Sequence, residues 1–371
     1  MGPKASPATG ERPWLRASST PLAQVHDVAL LDLDGTVYVG PDAVPGAPVV
    51  VEALRRGGVR PAFVTNNASR TPEAVAAHLT SLGIACIADE VVTSAQAGAS
   101  LVAGRVPPGS PVLVIGGVGV REALREVGLE PVDRADEGPV ALLQGWTPEL
   151  SWGQLAEGAY ALATGLPWVA TNTDLTIPTG RGIAPGNGSF VGLLVGVTGR
   201  RPDAVAGKPR PPLLEQAVSR MSAVRPVVVG DRLDTDIEGA AAVGLPSLLV
   251  LSGVTDVKAL LTAQAAHRPT YLASDISGLL RPHPAPVRVG GGWQCGRWTV
   301  SSRRETRDLH FAIADDAAYP RQAGTEAADD LLRAVSAAAW SLTDDGYQVD
   351  LTASVLEVVE GALARARAAG S

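Results

Sequence analysis

Asp32 and Asp34 are the first residues along the chain that could take part in a reaction. They lie at the end of an apolar run that begins at Val28. Gly35 follows them and allows the chain to turn sharply. If the run is a strand of a parallel sheet, its end opens into the crevice where ligands bind. The two carboxylates can then take different tasks, one as nucleophile or metal ligand and the other as general acid and base. The motif alone is also typical of an ordinary turn.

A second apolar run ends in the small polar residues Thr65, Asn66 and Asn67. A threonine hydroxyl and the backbone amides near it can bind a phosphate oxygen, as can the amides of a helix predicted to begin near Thr71. The same residues are equally typical of a polar turn, so this segment indicates a phosphate site only together with the others.

A third run ends in Val229-Gly230-Asp231 and is followed by Asp234 and Asp236. Acids this close in sequence repel one another unless a cation lies among them, and a hard, oxygen-seeking ion such as Mg²⁺ meets that requirement. A solvated acidic loop is the alternative. It is the weaker interpretation because the acids follow an apolar strand, at the edge of the sheet where a site is expected.

Lys208 precedes the third run and is the candidate cation of the site. A phosphoryl-transfer site needs positive charge to offset its carboxylates and the substrate dianion. Lys208 is not the lysine of a Walker phosphate loop, because Pro202 and Pro209 stand where that motif has glycine and a hydroxyl residue. Taken alone, it is more typical of an ordinary surface lysine.

The elements that must position these residues alternate between apolar runs and amphipathic stretches. Strands are predicted at 28–33, 61–65, 91–93, 112–115, 140–143, 168–170, 226–229 and 247–251. Helices are predicted at 72–82, 213–221 and 237–242. Near-continuous apolar strands that alternate with helices predict an α/β fold whose parallel sheet is covered on both faces.

The composition excludes several functional classes. A chain of 371 residues is expected to form more than one domain. Its net charge of -7 argues against a nucleic-acid partner. No apolar run approaches the roughly 20 residues that cross a bilayer, so no membrane partner is expected. The two cysteines, Cys86 and Cys295, match no disulfide or zinc pattern, which favours a reducing, cytoplasmic compartment.

The two ends of the chain differ in composition from its middle. Residues 1–22 are rich in Pro, Ser and Thr and are predicted to be a flexible tail. Residues 281–290 contain Arg-Pro-His-Pro-Ala-Pro and are predicted to be a linker. Residues 291–371 combine a polar, strand-like stretch with two helical ones and are predicted to form a small α+β domain.

Taken in order, these motifs resemble the signature of the haloacid dehalogenase superfamily. The strings FVTNNASRT at 63–71, PGNGS at 185–189 and GDRLDTDIE at 230–238 are similar to its class IIA. That class includes phosphatases of nucleotides, phosphoglycolate, glycerol phosphate and p-nitrophenyl phosphate. The resemblance covers about residues 25–278.

The resemblance implies a domain organisation. A Rossmann-like, three-layer core would consist of residues 23–104 and 204–280. An α/β cap inserted at 105–203 would close over the site, and relatives often form homodimers through it. In the cap, the resemblance places Asn172, Asp174 and Arg181 where they could contact the part of the substrate beyond the phosphate; a polar cap rim is the equally weighted alternative.

The resemblance also assigns roles at the core. Asp32 would attack phosphorus and form an aspartyl-phosphate, and Asp34 would protonate the leaving alkoxide and then activate water. Thr65 and Lys208 would hold the transferring phosphoryl group. The metal would be Mg²⁺, bound by the carboxylates of Asp32 and Asp231 and by the backbone carbonyl of Asp34.

Further residues of the motifs have supporting roles in the resemblance. Asp236 would stand behind the metal ligands without binding the ion. Asn66 would bridge the phosphate and the nucleophile loop, and Gly35 and Asn67 would contribute to phosphate or substrate binding.

The C-terminal residues are similar to an extension of some actinobacterial class IIA phosphatases, which resembles a reduced acetyltransferase fold. Arg321–Glu326 is weakly similar to the coenzyme A pyrophosphate loop, but Glu326 places an acid where a phosphate should approach. A stabilising or interaction role is therefore favoured over acetyl transfer.

The expected function is that of a cytoplasmic, magnesium-dependent phosphatase of a small phosphorylated metabolite, with glycerol 3-phosphate preferred on resemblance. Phosphoglycolate, nucleotides and sugar phosphates are alternative substrates. Transfer of the phosphoryl group to an organic hydroxyl is an alternative reaction on the same scaffold. An alternative of another class is a regulatory protein that acts through its C-terminal domain.

Overall fold

The chain runs through half of a central sheet, an inserted sheet, the other half of the central sheet and a C-terminal antiparallel sheet. The structure, a computed structural model, describes residues 15–179, 181–303, 308–313, 324–347, 349, 351 and 353–370. Within these ranges no helix is both long enough and apolar enough to cross a membrane.

The first half of the core begins the central sheet. Its elements are α1 (Leu22–Val25), β1 (Val28–Leu31), β2 (Tyr38–Val39), β3 (Asp42–Ala43), α2 (Ala47–Arg56), β4 (Arg60–Thr65), α3 (Pro72–Ser81), β5 (Val91–Thr93) and α4 (Ser94–Ala103). The side chain of Thr71 caps the N-terminus of α3, and that of Thr93 caps the N-terminus of α4. Each helix therefore begins directly after a threonine.

The inserted segment forms its own parallel sheet. Its elements are β6 (Pro111–Ile115), α5 (Val118–Glu126), β7 (Glu130–Val132), β8 (Ala141–Gln144), α6 (Trp152–Ala163), β9 (Trp168–Ala170), β10 (Thr176–Thr179), β11 (Gly182–Pro185), α7 (Asn187–Thr198) and β12 (Ala204–Val205). The sheet order is β12-β9-β8-β6-β7. The strands β10 and β11 form a separate antiparallel hairpin.

The second half of the core completes the central sheet. Its elements are α8 (Pro211–Arg220), β13 (Pro226–Gly230), a π-helical turn (Leu233–Ile237), α9 (Glu238–Ala242), β14 (Ser247–Val250), α10 (Val257–Leu261) and β15 (Tyr271–Ala273). All neighbouring strands are parallel, in the order β15-β14-β13-β1-β4-β5.

Both faces of the central sheet are covered. Leu30 of β1 belongs to the apolar cluster that contains Leu213 of α8, whereas its neighbour Leu31 belongs to the cluster that contains Leu54 of α2. Successive side chains of a strand point to opposite faces, so a fully apolar strand must be covered on both sides. This arrangement confirms the predicted α/β fold.

Helix α4 joins the two parallel sheets. Ala97 belongs to an apolar cluster of the central sheet, whereas Ala99 and Val102 belong to a cluster of the inserted sheet. Gly98 lies so close to Leu143 of β8 that an added Cβ would crowd the leucine. The alanine- and glycine-rich sequence of α4 therefore allows one helix to pack on both sheets at once.

The C-terminal unit packs on one edge of the central sheet. Its elements are β16 (Val287–Val289), β17 (Gly292–Cys295), β18 (Trp298–Arg303), β19 (Asp308–Ile313), α11 (Thr325–Asp344) and α12 (Ala353–Gly370), and the strands are antiparallel. One apolar cluster contains Leu249 and Leu272 of the central sheet together with Val300 and Trp340. The indole of Trp340 also donates to the backbone carbonyl of Leu260 at 2.9 Å. The α+β unit and the core thus share a hydrophobic interior.

A buried polar cluster lies in the same interface. The carboxylate of Asp329 accepts hydrogen bonds from Arg281 at 2.9 Å and from the backbone amide of Ser274 at 2.8 Å. Arg333 lies 3.9 Å from the same carboxylate and contacts Nδ1 of His283 at 3.2 Å. Burial and the neighbouring Arg333 lower the pKa of His283 to about 4, so this histidine is neutral near pH 7.

The N-terminal segment differs from its prediction. Residues 15–22 were expected to belong to a flexible tail, but Leu15 and Leu22 are buried. The backbone amide of Ser18 donates to the carbonyl of His283 at 2.7 Å. The prediction is wrong for this stretch because the two leucines anchor a polar segment on the core surface, and two isolated apolar residues do not make a periodic pattern that a sequence could reveal.

The first residues of the predicted linker at 281–290 are packed as well. Arg281 and His283 belong to the buried polar cluster, and the C-terminal sheet already begins at Val287. The prolines indicated a linker, but proline is equally typical of an extended segment that packs against a surface. Of the segment 321–326 with weak similarity to a coenzyme A loop, residues 321–323 lie outside the described residues; Gly324 is the N-cap of α11, and Glu326 lies in its first turn.

Asp329→Ala is expected to lower the free energy of unfolding by about 3–5 kcal/mol, because it leaves Arg281 without its carboxylate and the buried amide of Ser274 without its acceptor. Chemical denaturation followed by tryptophan fluorescence measures the change. The matched control is Asp136→Ala, which breaks a bidentate pair with Arg134 on the exposed surface and should leave the midpoint almost unchanged. Equal midpoints for both variants would contradict a stabilising role of the buried cluster.

Candidate active site

The predicted site residues of the core lie together at the ends of the middle strands of the central sheet. Asp32 directly follows β1, Thr65 ends β4, and Asp231 directly follows β13. Because β1 lies between β4 and β13, the three strand ends are adjacent. Asp32, Asp34, Thr65 and Lys208 line one cleft of about 700 Å³ between the core and the insert.

Lys208 is the cation at the base of this cleft, and only 2% of its side chain is exposed. Its Nζ atom donates to Asp32 at 2.5 Å, to Asp236 at 2.7 Å and to the backbone carbonyl of Val64 at 3.2 Å. Burial lowers the pKa of Lys208, but the carboxylates of Asp236 and Asp32 more than offset this and the pKa is raised. The lysine is therefore charged, and all three ammonium protons have acceptors.

Asp231 is the carboxylate with open coordination. The side chain is fully buried, and its Oδ2 atom accepts from the amide of Val254 at 2.5 Å. Among the described residues, Oδ1 has no hydrogen-bond partner. Burial, reinforced by Asp236, raises the pKa of Asp231 to about 7. A buried carboxylate oxygen without a partner is unfavourable, and so is the negative charge of this buried group. A cation bound to Asp231 would stabilise both.

A divalent cation fits the donor set. Asp32, Asp231 and Asp236 each offer an oxygen within 4.8 Å of the other two. Both oxygens of Asp236 are used, one by Lys208 and the other by the amide of Arg232 at 3.1 Å. The available carboxylates are thus Asp32 and Asp231. One ammonium cannot neutralise three buried carboxylates, which favours a second, oxygen-seeking cation such as Mg²⁺.

Gly35 has a different role from the predicted contact with phosphate or substrate. An added Cβ at Gly35 would collide with the Asp231 carboxylate, and the residue has a φ of +89°. Its amide donates to the carbonyl of Tyr38 at 2.8 Å, and its carbonyl accepts from Ser252 at 2.7 Å. Gly35 therefore makes room for Asp231 instead of lining the cleft.

Asp34 lies on the solvent side of the cleft and lines it. Partial desolvation there raises the pKa of Asp34, while the charges of Lys208 and Arg70 oppose the increase. An elevated pKa suits a carboxyl group that must carry a proton near neutral pH.

Thr65 and Asn67 form the turn after β4. Oγ1 of Thr65 accepts from the amide of Asn67 at 3.0 Å, which leaves the hydroxyl proton available to a ligand. Oδ1 of Asn67 accepts from the amide and the hydroxyl of Ser69, at 2.9 and 2.7 Å. Asn67 lines the cleft, but its side-chain oxygen is used to close the turn.

Asn66 does not make the predicted bridge to the nucleophile loop. Its side chain accepts from the amide of Lys208 at 2.8 Å and donates to the Lys208 carbonyl at 2.9 Å. The same amide group donates to Asp174 at 3.1 Å. Asn66 instead fixes the backbone of Lys208, and it links the core to the insert.

The insert contributes two of its three predicted residues. Asn172 donates to the carbonyl of Asn66 at 2.7 Å and accepts from the amide of Asp174 at 3.2 Å. Both residues line the cleft. Burial raises the pKa of Asp174, and its hydrogen bond to Asn66 opposes the increase. Arg181 is exposed in the turn between β10 and β11 and does not line the cleft.

Several further residues line the cleft that sequence reasoning missed. They are Ala68, Trp146, Thr176, Ile177, Gly186, Asn187, Arg232 and Thr235. Trp146 could have been found because it follows β8, and the rule that ligands bind beyond strand ends applies to the inserted sheet as well. Arg232 lies between Asp231 and Asp234, and the motif was interpreted through its carboxylates alone.

Family models match the two segments that form the central sheet. Residues 29–130 match the model described as haloacid dehalogenase-like hydrolase, and residues 205–279 match the HAD-hydrolase-like model.

Named proteins match a larger part of the chain. A D-glycerol 3-phosphate phosphatase of Mycobacterium tuberculosis is 44% identical over 328 residues, which cover 86% of this chain and 87% of that protein. An acid sugar phosphatase of Staphylococcus saprophyticus is 34% identical over 254 residues, 68% of this chain and 96% of that protein.

Solved structures show the same relationship. The crystal structure of a glycerol phosphate phosphatase from Mycobacterium tuberculosis in complex with magnesium matches with a TM-score of 0.76 and 41% identity, over 87% of this chain and 92% of that one. The p-nitrophenyl phosphatase of Archaeoglobus fulgidus matches with a TM-score of 0.64 and 29% identity, over 69% and 98%.

Mg²⁺ is expected to raise the thermal unfolding midpoint of the wild-type protein, because an ion that binds only the folded chain stabilises it. Asp231→Asn should abolish most of this increase, since it removes the carboxylate with the unpartnered oxygen. Differential scanning fluorimetry over a Mg²⁺ titration tests both statements. Asp234→Asn, whose carboxylate faces Arg232, is the control and should retain the increase. An undiminished increase in Asp231→Asn would contradict the proposed ligand.

Proposed function

The chain belongs to the haloacid dehalogenase-like hydrolases, and from this premise we propose that it is a magnesium-dependent phosphatase whose substrate is glycerol 3-phosphate. The contact between Asp32 and Lys208 at the base of the cleft carries the proposal. It places a carboxylate oxygen that can attack phosphorus beside a permanent positive charge that can hold the phosphoryl group. The similarity in sequence and in structure to glycerol phosphate phosphatase of Mycobacterium tuberculosis supports the choice of substrate.

In the first step, an Asp32 oxygen forms a bond to phosphorus while the bond to the leaving oxygen breaks. Asp34 gives its proton to the departing alkoxide, so the alcohol leaves neutral. In the second step, Asp34 takes a proton from water, and the water oxygen displaces Asp32 and releases inorganic phosphate. The aspartate nucleophile and the acid–base aspartate thus return to their starting states.

Other residues hold the reacting groups in place. Lys208 and the hydroxyl of Thr65 bind phosphoryl oxygens, and Asp236 orients Lys208 by accepting from its ammonium group at 2.7 Å. Asp32 and Asp231, with the backbone carbonyl of Asp34, would hold Mg²⁺. When bound, Mg²⁺ supplies positive charge that offsets the buried carboxylates and the phosphate dianion.

We propose that the insert acts as a cap over this site. Its contact with the core is close: an added Cβ at Gly119 would collide with the backbone carbonyls of Ala68 and Arg70. Asp174 and Asn172 reach from the insert to Asn66 beside Lys208. A cap in this position excludes water from the phosphoryl group and forms the chamber for the leaving alcohol.

We also propose that the protein forms a homodimer through the insert. Large apolar side chains are exposed on its helices and hairpin, namely Trp152, Tyr160, Ile183, Leu193 and Val197. Gly192 and Gly196 of α7 face open space, which permits close approach of another helix. Apolar surface concentrated in this way is typical of an interface, and a second copy of the chain is the proposed occupant.

A cytoplasmic location completes the proposal. Cys86 and Cys295 are both unpaired thiols. Unpaired cysteines are typical of reducing compartments, where phosphorylated metabolites are also found.

Asp32→Asn is expected to lower kcat for glycerol 3-phosphate by at least about a thousandfold, because an amide cannot replace the carboxylate nucleophile. Phosphate release with Mg²⁺ is measured over glycerol 3-phosphate, phosphoglycolate, nucleoside monophosphates and sugar phosphates. Asp42→Asn, in an exposed strand, is the matched control. Preference of the wild type for another ester would overturn the substrate, and formation of a new ester instead of phosphate would indicate phosphotransfer.

Leu193→Glu is expected to convert a dimer to a monomer, because it places a charge in the proposed apolar interface. Light scattering coupled to gel filtration measures the mass. Val224→Glu changes an equally apolar but distant exposed residue and should leave the mass unchanged. A monomeric wild type would contradict the dimer.

A further inference from the structure

Arg232 lines the cleft, although no step of phosphoryl transfer described above uses its side chain. Its Nε and Nη2 atoms donate to the two oxygens of Asp234 at 3.0 and 2.8 Å. The guanidinium is therefore held in a fixed orientation by a two-point contact. The contact with Asp234 uses Nε and Nη2 of Arg232. Nη1 has no partner among the described residues and remains available to a ligand.

Asp174 lies near Arg232 in the same cleft. Its carboxylate contributes to the raised pKa of Arg232, after the larger contribution of the hydrogen bonds to Asp234. Asp174 itself is held by Asn66 and by the backbone contact with Asn172. A hydrogen-bond donor from the core and an acceptor from the insert therefore face the same space, and both are fixed by neighbouring side chains.

The remaining wall of this space is partly apolar. Trp146 and Ile177 of the insert line the cleft beside Thr176 and Asn187. A short polyol matches such surroundings, because its carbon chain can lie on the apolar side chains while its hydroxyls reach the polar ones. Each hydroxyl can accept from a guanidinium and donate to a carboxylate at the same time.

The charges of this space favour a neutral leaving group. Arg232 is already paired with Asp234, whereas the Asp174 carboxylate accepts from the neutral amide of Asn66 and has no ion pair among the described residues. A leaving group that carries a carboxylate, as in phosphoglycolate, would be repelled by Asp174. A hydroxylated, uncharged leaving group instead gains a hydrogen bond to an ionised acceptor, which is stronger than a bond between neutral partners.

We propose that Arg232 and Asp174 form a hydroxyl-recognition pair that selects phosphate monoesters of short, uncharged polyols, and that Asp234 is a positioning residue for Arg232. The inference rests on the proposed phosphatase function and specifies its substrate class. Nη1 of Arg232 donates to a leaving-group hydroxyl, and that hydroxyl or its neighbour donates to Asp174. The pair contacts the alcohol, whereas Lys208 and Thr65 contact the phosphoryl group.

The test compares two esters of equal chain length, glycerol 3-phosphate and propyl phosphate, which lacks the hydroxyls. The ratio of their kcat/KM values isolates hydroxyl recognition from phosphoryl transfer. In the wild type the ratio should be well above one. Arg232→Gln and Asp174→Asn should each lower it about ten- to a hundredfold, the loss expected for a hydrogen bond to a charged group.

Positioning by Asp234 is tested with Asp234→Asn, which should raise KM for glycerol 3-phosphate while kcat for propyl phosphate stays unchanged. The matched control is Arg134→Gln, since Arg134 makes the same two-point contact with the aspartate two residues later on the exposed surface of the insert. Its ratio should equal that of the wild type. Arg232→Lys keeps the charge without the planar fork and should give an intermediate ratio, which guards against misfolding of Arg232→Gln.

The outcomes separate the two proposals. A ratio near one in the wild type, or an unchanged ratio in both Arg232→Gln and Asp174→Asn, overturns the recognition pair while the phosphatase function stands. Equal losses for both esters assign Arg232 to phosphoryl transfer and also overturn the pair. If the wild type hydrolyses neither ester nor any other monoester, the proposed function fails, and the pair fails with it.

Discussion

The contact of Lys208 with Asp32 and Asp236 is the constraint on which the rest of the site depends. A buried ammonium is costly unless all its protons have acceptors, and here two carboxylates and the carbonyl of Val64 supply them. The arrangement leaves Asp231 with an open, buried oxygen. The lysine thus makes the carboxylate cluster possible without saturating it, and the remaining negative charge is what makes the cluster a site for a divalent cation.

The sheet topology is a means of assembling this cluster from distant parts of the chain. Asp32 is separated from Lys208 and Asp236 by the whole insert, yet parallel pairing of β1 with β13 brings their loops together. The side chain of Asn66 then holds both backbone polar groups of Lys208, so the loop after β4 fixes the lysine from the other side. Since Asn66 also contacts Asp174, the position of the insert is coupled to that of Lys208.

The sequence could predict the core of the site because strands of one sheet end at one edge. That rule placed Asp32, Thr65 and Asp231 together without knowledge of the fold. It could not predict which group each polar side chain contacts. Asn66 would occupy the same position in the motif whether it bound a phosphate or a backbone group. Its observed partner, Lys208, lies 142 residues away in sequence. Arg181 was misplaced because a hairpin turn can point toward or away from a cleft with the same residues. Arg232 was missed because Asp174, the carboxylate proposed to act with it, comes from a loop of the insert far away in sequence.

The C-terminal unit shows the same limit of sequence reasoning at a larger scale. Prolines before it suggested a linker and a separable domain, yet Trp340 and Val300 share an apolar cluster with Leu249 and Leu272 of the central sheet. The strands β14 and β15 form one edge of that sheet, and parallel strands need cover on both faces. Helix α11 provides that cover for the edge, and its residue Asp329 joins the two units by accepting from Arg281 and from the backbone amide of Ser274. A chain without this unit would expose those leucines to water, so the unit contributes to the stability of the sheet that carries Asp231.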